Sequence, residues 1–265
     1  MNASTNAAAQ DKQFANTLAR GLELLMCFTP EQSVLGNKEF VARTGLDKAT
    51  VSRLAYTLAQ LGYLRHDKAL GKYRLGAPVL SMGYPLLASM NLRQLVRPMI
   101  KRLADEVRGM VGISIRDRTS MVYMETCRSE EDSAPPIDIG AAFPIMVSAN
   151  GRAWLARAAP EERDKALNQI KALYPKLHAE RIAEVRQALR DFGQLGYCTS
   201  PGILRPDRLA LAVPMARPVN AEIVVFNCTV ALRGRPVPPL RAELAGRLVT
   251  LVREVEAAVF GASVD

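Results

Sequence analysis

The segment RTGLDKATVSRLAYTLAQLGYL, residues 43–64, decides the architecture of the first part of the chain. Its apolar residues recur at positions i, i+3, i+4, i+7 and i+10 of a helix, and they are Val51, Leu54, Ala55, Leu58 and Leu61. Asp47 precedes them as a candidate N-cap, and Gly62 follows them where a helix commonly ends. The segment therefore predicts one amphipathic helix with a polar face left for another role.

Three further elements flank this helix. We expect an amphipathic helix in TLARGLELLMCF (17–28) that ends at Thr29-Pro30, a short helix in NKEFVARTGL (37–46), and a hairpin made by residues 63–66 and 73–75 around Gly71. Asn37 is the expected N-cap of the short helix, and Gly45 is its expected left-handed C-cap. Helix, short helix, glycine-containing turn, helix and hairpin is the order of a winged helix-turn-helix.

The polar face of the central helix and the hairpin carry the residues that would meet DNA. A helix fits the major groove, where its N-terminal residues reach base edges. The candidate DNA-facing residues are Lys48, Thr50, Ser52, Arg53 and Thr57 on the helix, with Lys72 and Arg74 on the hairpin. Periodicity alone leaves open a small helical bundle whose polar face is merely solvated. A winged helix that binds protein is a further alternative, which the basic face disfavours.

Length and charge bound the organisation of the whole chain. Its 265 residues fit two modest domains, and a hydrophobic content of 49% is enough for real cores. The net charge is +9, from 35 basic and 26 acidic residues. Residues 1–75 hold 10 basic and 6 acidic residues, so their net charge per residue is about twice that of the remainder. This mild concentration of charge favours a polyanionic partner for the first domain.

Cysteine and histidine usage argues against metal sites and most enzymes. The four cysteines, Cys27, Cys127, Cys198 and Cys228, form no C-x-x-C pair, and the two histidines, His66 and His178, stand 112 positions apart. We therefore expect no metal site and no cofactor, since glycine-rich nucleotide-binding motifs are also absent. Buried free thiols are the expected state. The alternative is an enzyme with Cys198 or Cys228 as nucleophile and His178 as base.

Nothing in the sequence predicts export or a membrane. No apolar run reaches the roughly 18 residues that a spanning helix needs. Residues 1–13, MNASTNAAAQDKQ, lack the basic and apolar regions of a secretory signal, and we expect them to form a disordered tail. These features together predict a cytoplasmic protein.

The rest of the chain changes its period twice. Residues 76–108 are mostly apolar on one face and predict a linker helix followed by a helix that opens a second domain, with a bend or breaks at Pro85 and Pro98. The linker helix is either a spacer or a dimerisation surface. Strand-like runs begin at residue 111 and return at 195–230, while 148–159, 161–192 and 240–260 are helical in pattern. Hairpin-like strands with helices at the ends indicate an α+β domain, not a doubly wound parallel sheet.

The residues resemble a known family of regulators. LARGLELL (18–25), residues 43–64 and GKYRLG (71–76) are similar to the N-terminal domain of IclR-type transcriptional regulators. SANGRAWLA (148–156) and the strands within 196–230 resemble the C-terminal domain of that family. The resemblance implies a bacterial transcription factor, not an enzyme, that binds a palindromic double-stranded DNA operator as a homodimer or tetramer. It also implies a GAF-like, antiparallel-sheet domain that holds a small-molecule effector.

The same resemblance divides the chain and places the effector pocket. The division is a disordered tail at 1–13, a winged helix-turn-helix at 14–76, a linker helix at 77–91 and an effector-binding and oligomerisation domain at 92–265. The pocket residues that it implies are Ser148, Ala149, Asn150, Ser200, Ala210, Asn227 and Thr229.

One departure from the family pattern bears on the effector. After Gly196 and Tyr197 the family commonly has acidic residues, but here the stretch holds Arg205 and Arg208 and has no acid before Asp207. Arginines at the mouth of a pocket lined by amides and hydroxyls would suit a small carboxylate, an aromatic or hydroxylated acid in particular. The alternative is that both arginines are solvated loop residues.

Overall fold

A computed structural model describes residues 13–200 and 204–261 of the chain. It contains two compact units, the first ending at Ser89 and the second beginning at Met90. The disordered tail expected at 1–13 lies, apart from Gln13, outside the described residues. No helix in the described ranges is long and apolar enough to cross a membrane.

The first unit has the predicted order of elements. They are α1 (Asn16–Leu25), α2 (Asn37–Thr44), α3 (Lys48–Gln60), β1 (Leu64–Asp67), β2 (Lys72–Leu75) and α4 (Ala77–Ser89). The two strands form an antiparallel hairpin, and its register pairs Leu64 with Leu75 and Asp67 with Lys72. The winged helix-turn-helix prediction is confirmed.

The ends of α2 and α3 follow from individual residues. The Asp47 carboxylate accepts a hydrogen bond from the Thr50 backbone N–H at 2.9 Å, so Asp47 is the N-cap of α3 as predicted. Gly45 ends α2 with φ of 71° and Gly62 follows α3 with φ of 79°, both in the left-handed region that favours glycine. The Asn37 prediction is wrong. The N-cap of α2 is Gly36, whose N–H is accepted by Glu39 Oε2 at 3.0 Å, so the helix begins one residue earlier than expected.

A small core holds the first unit together. Its buried apolar side chains are Leu24, Cys27, Leu35, Phe40, Val51, Ala55 and Leu64. Val51 and Ala55 are fully buried, and Leu54 and Leu58 pack against them as the spacing predicts. Leu61, by contrast, is 60% exposed. It follows the last residue of the helix, Gln60, and therefore no longer lies on the apolar face.

Of the two outcomes expected at the prolines, a bend or a break, the break is wrong at both positions. Pro85 lies inside α4, and Pro98 lies inside α5 (Asn91–Val107). A proline removes one backbone hydrogen bond of a helix. At Pro85 the unbonded carbonyl belongs to Ser81, an exposed residue, so water can satisfy it. The helical pattern is instead interrupted at Met90, which has φ of −85° and ψ of 76°.

The second unit is built on one antiparallel sheet. Its further elements are β3 (Met110–Asp117), β4 (Ser120–Arg128), β5 (Ala142–Pro144), α6 (Ala149–Arg157), α7 (Pro160–Leu173), α8 (Pro175–Leu195), β6 (Cys198–Thr199), β7 (Arg208–Pro214), β8 (Val225–Ala231) and α9 (Val237–Phe260). The strand order is β5-β4-β3-β8-β7-β6, and all neighbours are antiparallel. This confirms the α+β, antiparallel, GAF-like architecture.

Helices cover both faces of this sheet. One apolar cluster joins α5 and α9 to one face, and a second joins α6, α7 and α8 to the other. Successive residues of a strand point to opposite faces, so Leu211 belongs to the first cluster and Ala212 to the second. All four cysteines are free and buried, as predicted from the sequence.

Candidate functional site

The first candidate surface lies on the outer face of α3. Lys48, Ser52, Arg53 and Thr57 are exposed there. Thr50 is half-buried, and its hydroxyl donates to Asp47 Oδ2 at 2.7 Å, so this side chain belongs to the helix cap. The Thr57 hydroxyl donates to the Arg53 carbonyl at 3.0 Å. Lys48 and Arg53 have no ion pair within the described residues, which leaves them as the available cations of this face.

The hairpin carries the other two predicted residues in different states. Arg74 is exposed on β2. Lys72 is half-buried, and its Nζ lies 2.8 Å from Glu39 Oε1 on α2. The hydrogen bond from Lys72, with those from backbone N–H groups, lowers the pKa of Glu39 to about 2. Lys72 is therefore not a free cation, a feature that spacing within the hairpin cannot reveal.

Two residues of this surface escaped sequence reasoning. Arg65 is exposed and pairs directly with Arg74 across the hairpin. Tyr56 is 65% exposed on α3 beside Arg53 and Thr57. The signal for Arg65 was present, because antiparallel pairing of 67 with 72 fixes 65 opposite 74.

The second candidate site is a cavity of about 290 Å³ in the second unit. It is lined by all seven residues expected in the pocket, which are Ser148, Ala149, Asn150, Ser200, Ala210, Asn227 and Thr229. Sequence reasoning missed Tyr123, Ile137, Phe143 and Leu204, which complete the wall with Arg205 and Arg208. No acidic side chain is among the described lining residues.

The cavity floor is a buried polar network. Asn150 Nδ2 donates to Ser114 Oγ at 2.9 Å and to Asn227 Oδ1 at 3.4 Å, and Asn227 Nδ2 donates to Thr229 Oγ1 at 3.4 Å. Burial raises the pKa of Tyr123 to about 12, against the opposing effect of hydrogen bonds with Asn150 and Asn227. Neutral amides and hydroxyls of this kind can fix a polar substituent of a ligand.

A β-bulge places Tyr123 at the cavity. In the register of β3 with β4, Ile113 faces Glu125 and Ser114 faces Tyr123, so Met124 is an extra residue. Without this extra residue, Tyr123 and Glu125 would point to the same face. Glu125 instead contacts Arg93 and Arg97 of α5 at 2.6 and 2.7 Å. The bulge thus separates the cavity residue Tyr123 from an ion-paired carboxylate on the other face.

The start of α6 is held in place by two residues. Ser148 is its N-cap, and its hydroxyl accepts from the Gly151 N–H and donates to the Pro144 carbonyl, both at 3.1 Å. A Cβ on Gly151 would lie 2.2 Å from the Ile145 carbonyl oxygen, so only glycine fits this approach. The fit brings the N-terminal residues of α6, and the partial positive charge of that end, to the cavity wall.

The two arginines of the cavity differ from each other. Arg208 is the first residue of β7 and is buried, and it binds the Asp132 carboxylate through two hydrogen bonds of 2.8 and 2.9 Å. The alternative that Arg208 is a solvated loop residue is therefore wrong, because β7 pairing and Asp132 hold it inside. Arg205 is half-buried and has no ion pair among the described residues.

Burial of the Asp132 carboxyl group acts to raise its pKa. The hydrogen bonds from Arg208 and from the Ala134 N–H, with the charges of Arg208 and Arg128, outweigh that effect and hold the pKa below its usual range. Asp132 therefore stays ionised beside Arg208 and neutralises it.

The alternative of a catalytic thiol finds no support in the geometry. Burial raises the pKa of Cys198 and of Cys228 to about 12, whereas a reactive cysteine needs a lowered value. The Cys198 thiol donates weakly to the Ala188 carbonyl at 3.9 Å and not to His178. Within the described residues no group of three His, Cys, Asp or Glu side chains could hold a metal ion.

Comparison with protein families matches both units. The family model for the IclR helix-turn-helix domain matches residues 17–68. The model for the C-terminal domain of the bacterial transcriptional regulator IclR matches residues 85–225.

Individual relatives agree with these matches. The HTH-type transcriptional regulator TsaQ1/TsaQ2 of Comamonas testosteroni is 31% identical over 91% of this chain and 87% of its own length. The crystal structure of an IclR family transcriptional regulator from Brucella abortus superposes with a TM-score of 0.84 and 38% identity over 94% of both chains. An IclR homologue from Microbacterium hydrocarbonoxydans, complexed with 4-hydroxybenzoate, has a TM-score of 0.64 and 22% identity over 90% of this chain and 99% of its own.

Proposed function

This chain belongs to the IclR family of bacterial transcriptional regulators, and from that premise we propose how it binds its operator and what it senses. It is a DNA-binding transcriptional regulator and not an enzyme. The proposal is that it binds a palindromic operator in the cytoplasm as a homodimer or tetramer. A small carboxylic acid, aromatic or hydroxylated, occupies the cavity of the second unit and changes operator affinity.

The operator contacts are assigned to α3 and the hairpin. On α3, Lys48 and Arg53 have no ion pair within the described residues, and Ser52 and Thr57 are exposed on the same helix. Thr50 contributes through the cap that orders the start of α3. Arg74 and Lys72 of the hairpin are assigned to the flanking phosphates. Lys72 would have to exchange its ion pair with Glu39 for a phosphate contact.

Pairing of two copies is assigned to the linker helix α4. Its apolar side chains are exposed, with Leu80 at 79% and Tyr84 at 71%, and none of its residues is buried. An apolar helical face of this kind is typical of an interaction surface. A dimer whose two α3 helices read equivalent half-sites requires a palindrome. The same proposal assigns DNA binding to residues 14–76, the linker to 77–91, and effector binding and oligomerisation to 92–265.

The charge of the cavity carries the effector assignment. Its described lining contains two arginines and no acid, and the N-terminal end of α6 adds a partial positive charge. At about 290 Å³ the cavity is near the lower limit of ligand pockets, so it suits one ring or a short chain. Tyr123 and Phe143, with ring centroids 5.9 Å apart, offer an aromatic wall. The 4-hydroxybenzoate complex of the Microbacterium relative supports an acid of this kind.

The operator proposal is tested by selection of bound genomic DNA fragments followed by sequencing. We expect an inverted repeat, and sites without two-fold symmetry would contradict it. Arg53→Ala is then measured on the recovered operator by fluorescence anisotropy. A base contact predicts a loss of about 1–3 kcal/mol in specific binding. Arg186→Ala, an exposed arginine of α8, is the matched control and should leave the affinity unchanged.

The effector proposal is tested on the same complex. Operator affinity is measured while a panel of aromatic, hydroxylated and aliphatic carboxylic acids is titrated in, each beside its neutral amide. We expect at least one acid to change the affinity and its amide to be weaker. Response to neutral or cationic compounds alone would contradict an acid effector.

A further inference from the structure

The charged side chains at the cavity wall are few. Arg205 and Arg208 are the cations of its described lining, and both also line an adjoining small pocket that contains Asp132. Asp132 lies in the segment between β4 and β5, 76 positions before Arg208. The question for any anionic ligand is therefore which of the two arginines is available.

Arg208 is not available. Its two terminal nitrogens bind both carboxylate oxygens of Asp132 at 2.8 and 2.9 Å, and one of them also donates to the Thr229 carbonyl at 3.3 Å. Both partners of the ion pair are about 5% exposed. A ligand that displaced Asp132 would leave a buried carboxylate without its partner, which is strongly unfavourable.

Asp132 is itself fixed from several sides. Its Oδ1 accepts the Ala134 N–H at 3.2 Å, and its own N–H donates to the Ser129 carbonyl at 3.1 Å. Arg128 donates to the Asp132 carbonyl and, at 3.1 Å, to the Ala134 carbonyl. The segment therefore holds the Asp132 carboxylate where it neutralises Arg208, whether or not the cavity is filled.

Arg205 is the arginine that remains. It is half-buried, it lines the cavity, and no ion pair holds it within the described residues. Its carbonyl accepts the Arg208 N–H at 3.1 Å, which anchors its backbone directly before β7. Apart from the two arginines, the described lining offers only uncharged side chains, and its polar groups include those of Tyr123, Asn150 and Asn227.

We propose that the cavity selects a monocarboxylate over a dicarboxylate, with Arg205 as the residue that determines this specificity. The inference rests on the proposed acid effector and narrows it to one negative charge. The carboxylate pairs with Arg205, and the neutral floor binds an uncharged polar or apolar end. A second carboxylate would face amides, hydroxyls and the partial positive charge of the α6 N-terminus but no full cation, and its lost hydration would not be fully regained.

Isothermal titration calorimetry of the 265-residue chain tests this with two matched sets of probes. The aromatic set is 4-hydroxybenzoate, its amide and terephthalate, and the aliphatic set is butyrate, butyramide and succinate. In at least one set the monocarboxylate should bind at least about tenfold more tightly than the dicarboxylate, as loss of one charged hydrogen-bonded pair implies. Equal or tighter binding of the dicarboxylate would overturn the inference.

Two variants locate the selectivity. Arg205→Gln should weaken the monocarboxylate roughly 10- to 100-fold and bring it level with its amide. Asp132→Asn, which leaves Arg208 without its counterion, should improve dicarboxylate binding roughly tenfold or more. Arg186→Gln is the control and should leave every affinity unchanged, and thermal denaturation establishes that each variant is folded.

The results distinguish a failure of Arg205 as the specificity residue from a failure of the acid effector itself. If monocarboxylates bind and Arg205→Gln does not weaken them, Arg205 is not the specificity residue and the inference fails while the acid effector stands. If no acid of either set binds, both fail. Should Asp132→Asn not fold, the comparison of probes on the wild-type chain and on Arg205→Gln still decides.

Discussion

Arg65 and Arg74 stand directly opposite each other in the antiparallel register of the β1–β2 hairpin, so two arginines share one face of it. Like charges in directly opposed positions destabilise a hairpin. Both residues are exposed, and neither has an acidic partner within the described residues. A pair that weakens the hairpin but could hold a phosphate between its guanidinium groups is better explained by binding than by folding.

Arg65→Gln should therefore act in opposite directions on stability and on DNA affinity. We expect the free energy of unfolding to rise by roughly 0.2–1 kcal/mol, because a like-charge pair is removed. Operator affinity should fall, and the negative slope of log affinity against log salt should become shallower by about one unit for a lost phosphate contact. Urea unfolding and anisotropy titrations at several salt concentrations measure the two effects. Unchanged DNA affinity would exclude Arg65 from the interface.

Glu39→Gln tests the state of Lys72. The Lys72 Nζ now lies 2.8 Å from Glu39, and a neutral glutamine would release that charge while it could still accept the Gly36 N–H. Operator affinity should rise severalfold at low salt, with a salt slope steeper by about one unit. Lys72→Gln is the paired variant and should not strengthen binding. An affinity of Glu39→Gln equal to wild type would mean that Lys72 does not reach DNA.

The first unit was more predictable than the second because its signals are local. The Asp47 cap, the glycines at 45 and 62 and the apolar stripe of α3 each act over a few residues, and the structure follows them. The N-cap prediction at Asn37 was wrong because Glu39 accepts the N–H of Gly36, the residue before Asn37. Glu39 also pairs with Lys72, which lies 33 positions away in the chain. A local pattern carries no information about such a distant partner.

The cavity was also predicted only in part. The seven residues that the resemblance implied line one cavity, and all of them lie on strands, at the α6 start or beside β6. Tyr123 was missed because a bulge at Met124 sets its direction, and strict alternation gives no sign of it. The burial of Arg208 was not predicted because its ion-pair partner, Asp132, lies 76 positions away in the chain. Contacts of this kind follow from tertiary packing.

Gly112→Ala should disturb the cavity through Tyr123. A Cβ at this position would lie 2.8 Å from Cε1 of the Tyr123 ring, so the ring must move. We expect a loss of roughly 1–3 kcal/mol in the free energy of unfolding, typical of overpacking a buried site. The affinity for the effector acid should fall as well. In a Tyr123→Leu background the loss should be smaller but not zero, because the Cβ would also lie 3.0 Å from the Glu125 carbonyl oxygen. A similar loss in both backgrounds would place the strain elsewhere.

Asp132→Asn should destabilise the second unit in a pH-dependent way. It leaves buried Arg208 without a counterion, and removal of one partner of a buried pair costs about 3 kcal/mol. The folded-state pKa of Asp132 is lowered, so its contribution is complete above the unfolded carboxyl value of about 4 and is lost as the pH falls through the folded value. The stability gap between wild type and variant should thus be largest at neutral pH and shrink in acid.

Trp154, the single tryptophan of the chain, is buried in the second unit and reports the unfolding of that unit by its fluorescence. Urea titrations from pH 7 down to the acid limit of folding measure the gap for Asp132→Asn. Asp117→Asn removes an exposed carboxylate beside Arg118 and serves as the control, with an expected effect within about 0.5 kcal/mol. A gap that stays constant down to that limit would mean that packing, and not the ionised carboxylate, accounts for the loss.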